Sequence, residues 1–265
     1  ERRPLRAAVI NIDDPAGAQF LARAAGAGQV LTCSASGNPG AALRASNLAS
    51  SATGISFELA TPWGDLRVQS PLLGRFNVDN LLAVAASLGA LGQPLPRIAE
   101  ALAALTPVAG RMNRLGGDGH LPLVVIDYAH TPDALEQTLG SLRAHTAERL
   151  LCVFGCGGER DAGKRPQMGA IVERLADALI VTDDNPRGED GDAIVAGILS
   201  GLAQPDRAQV LRDRAAAIAR AVALAGPRDT VLVAGKGHED SQEVAGRKRP
   251  FDDLRCARSA LEARA

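Results

Sequence analysis

The ten residues ALIVTDDNPR at 178–187 join an apolar run to a polar turn, and this junction decides the fold predicted for the chain. A short apolar run bounded by a turn is typical of a buried strand in a parallel sheet. Pro186 fixes its own φ and pushes Asn185 into an extended conformation, so the Asn185 amide and the Arg187 guanidinium project from a turn with little freedom. Because ligands of open α/β sheets bind where strands end, the turn is predicted either to hold a carboxylate or simply to cap the next helix.

Short apolar strands alternate with helical stretches on both sides of this junction, from about residue 112 to the end of the chain. Strands are predicted at 123–126, 150–154, 178–182, 209–211 and 231–234. Helices are predicted near 132–145, 166–176, 192–202, 214–225 and 253–263. This alternation predicts an α/β domain with a Rossmann-like, mainly parallel sheet that is covered by helices on both faces.

Residues 1–111 predict a second α/β region that looks incomplete. Its strands are expected at 7–10, 29–33, 55–59 and 65–70, and its helices at 16–25, 77–91 and 96–105. A Gly/Ala/Ser-rich passage, to which no element is assigned, runs to about residue 53. The predicted domains are therefore 1–111 and 112–265. Since the chain begins at Glu1 without Met and goes almost at once into a strand, we expect it to enter a larger protein partway.

Composition favours a small-molecule partner over a nucleic acid or a membrane surface. The 29 Lys and Arg residues nearly balance the 30 Asp and Glu residues, whereas proteins that bind nucleic acids or membranes usually carry a basic excess. Neither a membrane-spanning apolar run nor a signal peptide is predicted. The four cysteines lack the CxxC spacing of zinc sites, so a reducing compartment is expected and no metal ligand is predicted.

Four loops that follow predicted strands carry more polar residues than a connection needs. They occupy 127–132, 155–166, 183–187 and 235–240. In a parallel sheet these loops share one edge, so they are expected to converge on one ligand. Taken singly, His130, His238, Lys164 and Glu239 fit equally ordinary roles in hydrogen bonding or helix capping. Convergence favours a binding site.

The glycine-rich loop 155–158 fits neither common nucleotide motif. A dinucleotide fingerprint requires a third glycine where Arg160 stands, and no GxxxxGK[ST] sequence occurs in the chain. Cys156 within this loop is interpreted as a small residue in a tight turn rather than as a nucleophile. If ATP is used, the loop that holds its phosphates is not in this chain.

In order and spacing, four of these strings resemble the C-terminal domain of the Mur ligase family, in its diaminopimelate-adding branch. They are DYAHTPDALE at 127–136, FGCGG at 154–158 with Arg160 and KRP at 164–166, TDDNPR at 182–187, and AGKGHED at 234–240. The strings NIDDP at 11–15, GRFNVDN at 74–80 and GRM at 110–112 resemble later segments of that family's central ATP-binding domain. The resemblance is strong after about Gly110 and thinner before it.

The resemblance implies an ATP-dependent amide ligase of peptidoglycan precursor synthesis. Such a ligase phosphorylates the free carboxylate of UDP-N-acetylmuramoyl-L-alanyl-D-glutamate, and an amine of meso-diaminopimelate then attacks the acyl phosphate. ATP and Mg²⁺ are the implied cofactors, and a cytoplasmic monomer is expected. The chain alone is expected to be inactive, because the phosphate loop lies outside it. A ligase that adds lysine, a folylpolyglutamate-type ligase and a noncatalytic α/β binding module remain alternatives.

The same resemblance implies three groups of site residues. Diaminopimelate binding is assigned to Arg160, Asp184, Asn185, Arg187, Gly235 and Glu239. ATP binding is assigned to Asn11, Asn77, Asn80, Arg111 and Tyr128. Catalytic roles are assigned to Asp127, His130 and Lys164. Arg187 would serve the second carboxylate of diaminopimelate, which lysine lacks, so Asp-Asn-Pro-Arg favours diaminopimelate over lysine.

Overall fold

The computed structural model describes residues 5–264 of the chain. Its contacts divide the chain into two compact units, which meet in sequence between Thr106 and Pro107. The domain boundary predicted near residue 112 stays a prediction, and the expectation drawn from Glu1 lies outside the described residues. No described helix is long and apolar enough to cross a membrane.

The first unit is built on a mixed five-stranded sheet in the order β1-β2-β3-β4-β5. Strands β1, β2 and β3 are parallel to one another, whereas β4 pairs antiparallel with β3 and β5 pairs antiparallel with β4. A core that includes the fully buried Leu43, Leu59 and Leu81 packs the helices onto this sheet. The elements are β1 (Ala8–Asn11), α1 (Gly17–Arg23), β2 (Val30–Ser34), β3 (Leu43–Ser51), β4 (Gly54–Thr61), β5 (Gly64–Ser70), α2 (Phe76–Ala90) and α3 (Leu95–Ala104).

Strand β3 corrects the sequence prediction, which assigned no element to this passage. Its sequence, LRASNLASS, is rich in Ala and Ser, which are weak signals for a strand. Pairing with β2 on one side and β4 on the other supplies the hydrogen bonds that local propensity does not favour. The pairing register shifts between Ser46 and Ala49, where Asn47 adopts a φ of 53°. Tertiary pairing therefore overrides the local sequence here.

The second unit is built on a six-stranded sheet in the order β10-β9-β8-β11-β7-β6. Only β6 is antiparallel to its neighbour, which confirms the mainly parallel sheet. A separate hairpin pairs β12 with β13. The strands are β6 (Asn113–Gly116), β7 (Leu123–Asp127), β8 (Leu150–Phe154), β9 (Ala178–Val181), β10 (Ala208–Val210), β11 (Thr230–Ala234), β12 (Ser241–Val244) and β13 (Arg247–Pro250).

Helices cover both faces of this sheet, which explains its apolar strands. Every residue of β7, β8 and β11 is buried, as expected when no face of a strand meets water. The helices are α4 (Pro132–Arg143), α5 (Lys164–Leu175), α6 (Gly191–Leu199), α7 (Arg214–Leu224) and α8 (Asp253–Glu262). Because β7, β8, β9 and β11 are parallel, the loops that follow them emerge at one edge of the sheet.

Candidate functional site

The four polar loops predicted to share one edge meet around a cavity of about 440 Å³ in the second unit. We name them by the strand that precedes each: the β7 loop (128–131), the β8 loop (155–163), the β9 loop (182–190) and the β11 loop (235–240). The cavity is lined by nine of the residues to which sequence reasoning assigned a role: Tyr128, His130, Arg160, Lys164, Asp184, Asn185, Arg187, Gly235 and Glu239.

Asn185, in the β9 loop, is nearly buried, and both ends of its amide are occupied. Its Nδ2 donates to Glu239 Oε2 over 2.8 Å. Its Oδ1 accepts from Lys236 Nζ and from the Glu243 backbone N–H, each over 3.0 Å. The amide therefore holds the β9 loop against the β11 loop. This is the rigid turn predicted from Pro186, with partners that the sequence did not reveal.

Lys236 is fully buried beneath the cavity, and sequence reasoning gave it no role. Its ammonium also donates to Glu239 Oε2 over 2.9 Å. Although burial raises the pKa of Glu239, the hydrogen bonds from Lys236 and Asn185 outweigh that effect and lower the pKa below its usual value. Glu239 is thereby kept ionised. A lysine flanked by two glycines directly after a buried strand was the available signal.

Arg187 joins the β9 loop to the β8 loop. Its Nη1 donates to the Gly158 carbonyl over 2.7 Å, and the Gly158 N–H donates to the Asn185 carbonyl over 2.9 Å. The Arg187 N–H pairs with the Glu243 carbonyl of the β12–β13 hairpin. Arg187 adopts a φ of 55°, a left-handed conformation that costs a non-glycine residue about 1–2 kcal/mol. These contacts therefore hold the guanidinium in a fixed place.

Glu189 fixes the β8 loop that carries Arg160. Its carboxylate accepts from Arg165 Nη1 and Nη2 over 2.7 and 2.8 Å, and from the Glu159 N–H over 3.0 Å. The hydrogen bonds from Arg165 lower the pKa of Glu189 to about 2. Arg165 itself is buried, and the sequence analysis assigned no role to Arg165 or to Glu189. Arg160 thus projects from a loop that is held at both ends.

Asp184 presents a buried carboxylate at the cavity wall beside Gly235. A Cβ at Gly235 would lie closer than 3.0 Å to Asp184 Oδ2, and Gly235 adopts a φ of 120°, so only glycine fits there. Burial raises the pKa of Asp184, and the charges of Arg214 and Lys236 partly oppose this rise. Arg214 is fully buried and donates to both oxygens of Asp253 over 2.7 Å. Two buried cations therefore lie near this carboxylate.

The three residues assigned catalytic roles have different positions. Asp127 does not line the cavity: its carboxylate is nearly buried and accepts from the Met112 N–H over 3.0 Å and the Ala129 N–H over 2.9 Å. Lys164 lines the cavity and donates from Nζ to the His130 carbonyl over 2.8 Å. His130 is exposed, with Nδ1 2.8 Å from the Tyr128 carbonyl oxygen. Asp127 is thus placed to support the β7 loop, and the other two to face a ligand.

Three of the residues assigned to ATP lie in the first unit, and each makes a local hydrogen bond. Asn11 Nδ2 donates to Asp79 Oδ1 over 3.0 Å. Asn77 Nδ2 donates to the Leu73 carbonyl over 2.7 Å, and Asn80 Nδ2 donates to Asn77 Oδ1 over 3.0 Å. These bonds orient the amides at the start of α2 and at the end of β1.

The other two residues assigned to ATP lie in the second unit. Arg111 is exposed, and its Cζ lies 5.1 Å from the centroid of the Tyr128 ring. The ring of His130 approaches Tyr128 to 4.5 Å between centroids, and that of His238 to 5.6 Å. A guanidinium over an aromatic ring offers both a cation for phosphate and a flat surface for a base.

The Cys156 thiol and the possible metal-binding side chains were considered next to the cavity residues. Burial raises the pKa of the Cys156 thiol to about 12, so the thiol is protonated near neutral pH, which fits the interpretation of a small turn residue. Among residues 5–264, no group of three or more His, Cys, Asp or Glu side chains is placed to hold a metal ion.

Comparison with known families accounts for both units. The model of the Mur ligase middle domain matches residues 2–88, and that of the Mur ligase glutamate ligase domain matches residues 110–237. The chain belongs to the Mur ligase family. Of the residues that line the candidate site, all except Glu239 lie within the second match.

Several relatives of this Mur ligase chain carry the same name. A UDP-N-acetylmuramoyl-L-alanyl-D-glutamate--2,6-diaminopimelate ligase from Xanthomonas campestris pv. campestris is 58% identical over 260 residues, which are 98% of this chain and 52% of the relative. The enzyme of that name from Pseudomonas aeruginosa is 51% identical over 259 residues, 98% of this chain and 53% of the relative. The chain thus spans about half the length of the curated relatives it matches.

Solved structures agree with this Mur ligase fold. A structure of UDP-N-acetylmuramoyl-L-alanyl-D-glutamate--2,6-diaminopimelate ligase superposes with a TM-score of 0.78 at 39% identity and covers 98% of this chain and 54% of its own. The MurF ligase from Thermotoga maritima, solved in complex with ADP, gives a TM-score of 0.66 at 18% identity, with 99% and 55% covered. The second likeness concerns the fold alone.

Proposed function

We propose that this chain is part of an ATP-dependent amide ligase that adds meso-diaminopimelate to UDP-N-acetylmuramoyl-L-alanyl-D-glutamate in peptidoglycan precursor synthesis. The observation that carries the proposal is the charge arrangement of one cavity. Two guanidinium groups, of Arg160 and Arg187, line it together with two carboxylates, of Asp184 and Glu239. Meso-diaminopimelate carries two carboxylates and two amines, so each carboxylate can meet a guanidinium, and the ammonium that does not react can meet the carboxylates.

In this proposal the cavity holds both carboxylates of the amino acid and the ammonium that does not react. Arg160 and Arg187 bind carboxylate, for which the planar guanidinium is well suited. Asp184, Glu239 and the Gly235 carbonyl accept hydrogen bonds from the distal ammonium. Asn185 fixes the distance between the β9 and β11 loops and therefore between the cations and the anions. Lysine would leave one guanidinium without a partner, because it has a single carboxylate.

The other amine of the amino acid is proposed to react with an acyl phosphate. ATP supplies the phosphoryl group that makes the substrate carboxylate electrophilic. The amine nitrogen bonds to the carbonyl carbon, the bond from that carbon to the phosphate oxygen breaks, phosphate leaves, and the amine loses a proton. Lys164 and His130, at the cavity wall, orient the reacting end, and the Lys164 charge offsets that of the phosphate. Asp127 acts by holding the β7 loop.

Five residues are proposed to bind ATP. Asn11, Asn77 and Asn80 supply amides in the first unit, and Arg111 and Tyr128 supply a cation and a ring in the second. Mg²⁺ is proposed to accompany ATP. A cytoplasmic monomer is also proposed, and the near balance of basic and acidic residues supports a protein that binds no nucleic acid and inserts into no membrane.

The test is ligase activity of a hybrid protein, in which this chain is joined to the part of the Xanthomonas campestris relative that it does not match. Phosphate release should require ATP, the UDP-linked dipeptide and meso-diaminopimelate together, and mass spectrometry should detect the amide product. The chain alone should release no phosphate. Faster turnover with lysine or glutamate would replace the proposed substrate, and a correctly folded hybrid with no turnover would favour a noncatalytic binding module.

A further inference from the structure

We propose that Lys236 is a positioning residue that gives the cavity its preference for an amino acid with a second ammonium group. It does so by fixing the Asn185 amide and one oxygen of Glu239, so that the other Glu239 oxygen is presented to the ligand. The inference rests on the proposed function for the identity of the ligand. The contacts that support it do not depend on that identity.

The ammonium of Lys236 decides which way the Asn185 amide points. A lysine ammonium can only donate, so the atom of Asn185 that lies 3.0 Å from Nζ must be the oxygen. The Glu243 N–H donates to the same oxygen over 3.0 Å. Two donors on one side leave Nδ2 to point at Glu239. The orientation of the Asn185 amide is therefore fixed by two groups that can donate hydrogen bonds but cannot accept them.

The same ammonium decides which Glu239 oxygen is available. Oε2 accepts from Lys236 Nζ over 2.9 Å and from Asn185 Nδ2 over 2.8 Å. Among the described residues, Oε1 has no hydrogen-bond partner, although Glu239 lines the cavity. A ligand ammonium can therefore approach Oε1 without displacing a protein contact. Rotation of the carboxylate would cost both hydrogen bonds to Oε2.

Burial and backbone geometry exclude a direct role for Lys236 in binding or chemistry. It is fully buried, so its ammonium does not reach the cavity. Gly235 and Gly237 on either side have φ values of 120° and 56°. A Cβ at Gly237 would lie 2.7 Å from Tyr128 Cβ and 2.9 Å from the Gly110 carbonyl oxygen, so the chain is tightly packed there. Tight packing therefore fixes the backbone around Lys236, and hydrogen bonds fix its ammonium.

A ligand without the distal ammonium should then bind poorly. It would leave Oε1 of Glu239 and the Asp184 carboxylate desolvated and without a donor, which is costly for charged acceptors. The other charges near Glu239 are those of Asp184 and Arg187, and Arg214 lies beyond Asp184. Without Lys236, Glu239 would lose its fixed direction and much of its preference for the ionised form.

The structural part of the test uses the 265-residue chain and no ligand. The chain has three lysines, Lys164, Lys236 and Lys248, so ¹⁵N-lysine labelling gives three ammonium signals to assign. The wild-type Lys236 signal should exchange slowly with water, and Glu239→Gln should shift it. The exposed Lys248 should exchange fast. Fast exchange of the Lys236 signal, or no response to Glu239→Gln, would overturn the inference even if no variant at 236 folds.

Substitution of the lysine should also change the titration of Glu239. Lys236→Met and Lys236→Gln remove the charge, and Gln retains the ability to donate. The pKa of Glu239, measured by ¹³C NMR, should rise in both variants. The rise should be smaller in Lys236→Gln than in Lys236→Met. Lys248→Met is the matched control and should leave it unchanged. An unchanged Glu239 pKa in a folded variant at 236 would contradict the positioning role.

The functional part compares meso-diaminopimelate with 2-aminopimelate, which lacks the distal amine, in the hybrid protein. The wild type should prefer meso-diaminopimelate, and Lys236→Gln should reduce the ratio of kcat/KM values by about tenfold, mainly through KM. An unchanged ratio in an active variant would overturn the inference. A wild-type hybrid without turnover would count against the proposed function, and the NMR results would then decide the role of Lys236.

Discussion

Replacement of Gly158 by alanine is expected to separate the two loops that carry Arg160 and Arg187. An added Cβ would lie closer than 3.0 Å to the Pro186 carbonyl oxygen, 2.8 Å from the Pro186 carbonyl carbon and 3.0 Å from Glu189 Cβ. Ordinary contacts to a Cβ begin at 3.4 Å. Since two of these atoms belong to the backbone, the β8 and β9 loops must move apart.

The cost can be worked out from the contacts that would be strained or lost. Overpacking against fixed backbone costs about 1–3 kcal/mol. The hydrogen bonds from Gly158 N–H to the Asn185 carbonyl and from Arg187 Nη1 to the Gly158 carbonyl each contribute about 1 kcal/mol. Partial relaxation of the loops offsets some of this sum. We therefore expect a loss of about 2–4 kcal/mol in the free energy of unfolding.

Urea denaturation of the 265-residue chain measures this loss, and Gly140→Ala is the matched control. Gly140 lies within α4, and a Cβ there would meet nothing within 4 Å. Alanine at this position should be neutral or stabilise the helix by up to about 1 kcal/mol. If Gly158→Ala unfolded at the wild-type urea concentration, the two loops would not form the single rigid support described above.

Two further predictions concern ion pairs. Hydrogen bonds from Arg165 hold the pKa of Glu189 at about 2, below the usual glutamate value of 4.5, so their contribution to stability is present above about pH 4.5 and is lost as the pH falls through 2. Acid titration followed by circular dichroism should therefore destabilise the wild type more than Glu189→Gln between these values, and parallel curves would refute this. Asp253→Asn would leave the buried Arg214 charge without its partner, so urea denaturation should show a loss of about 3–5 kcal/mol; a loss below 1 kcal/mol would mean that the pair contributes little.

The fold of the second unit could be predicted from the sequence, because its buried strands are recognisable as short apolar runs. The runs at β7, β8 and β11 are apolar throughout, and parallel sheets covered on both faces produce that pattern. The hairpin of β12 and β13 was not predicted. Its strands read SQEV and RKRP, which carry no apolar alternation, and the hairpin is anchored by backbone pairing with Arg187. Such pairing depends on tertiary contacts that local sequence does not encode.

Some residues of the candidate site could likewise be predicted from the sequence, and others could not. Residues that face the cavity could be assigned from the sequence, because polar side chains at the ends of parallel strands must share one edge. Residues that hold them could not, because their partners lie far apart in sequence. Lys236 contacts Asn185 across 51 positions, and Arg165 contacts Glu189 across 24. Strand topology brings these pairs together, and no local pattern marks them.

The central claim is that this cavity accepts an amino acid with two carboxylates. The most direct measurement is the ratio of kcat/KM for meso-diaminopimelate to that for lysine in the hybrid protein, for the wild type and for Arg187→Ala. Arg258→Ala, on the exposed face of α8, is the control. The wild type and control should prefer meso-diaminopimelate, and Arg187→Ala should lower the ratio by about tenfold or more, as expected for a lost charged hydrogen bond. A ratio that Arg187→Ala leaves unchanged, or a wild type that prefers lysine, would contradict the account.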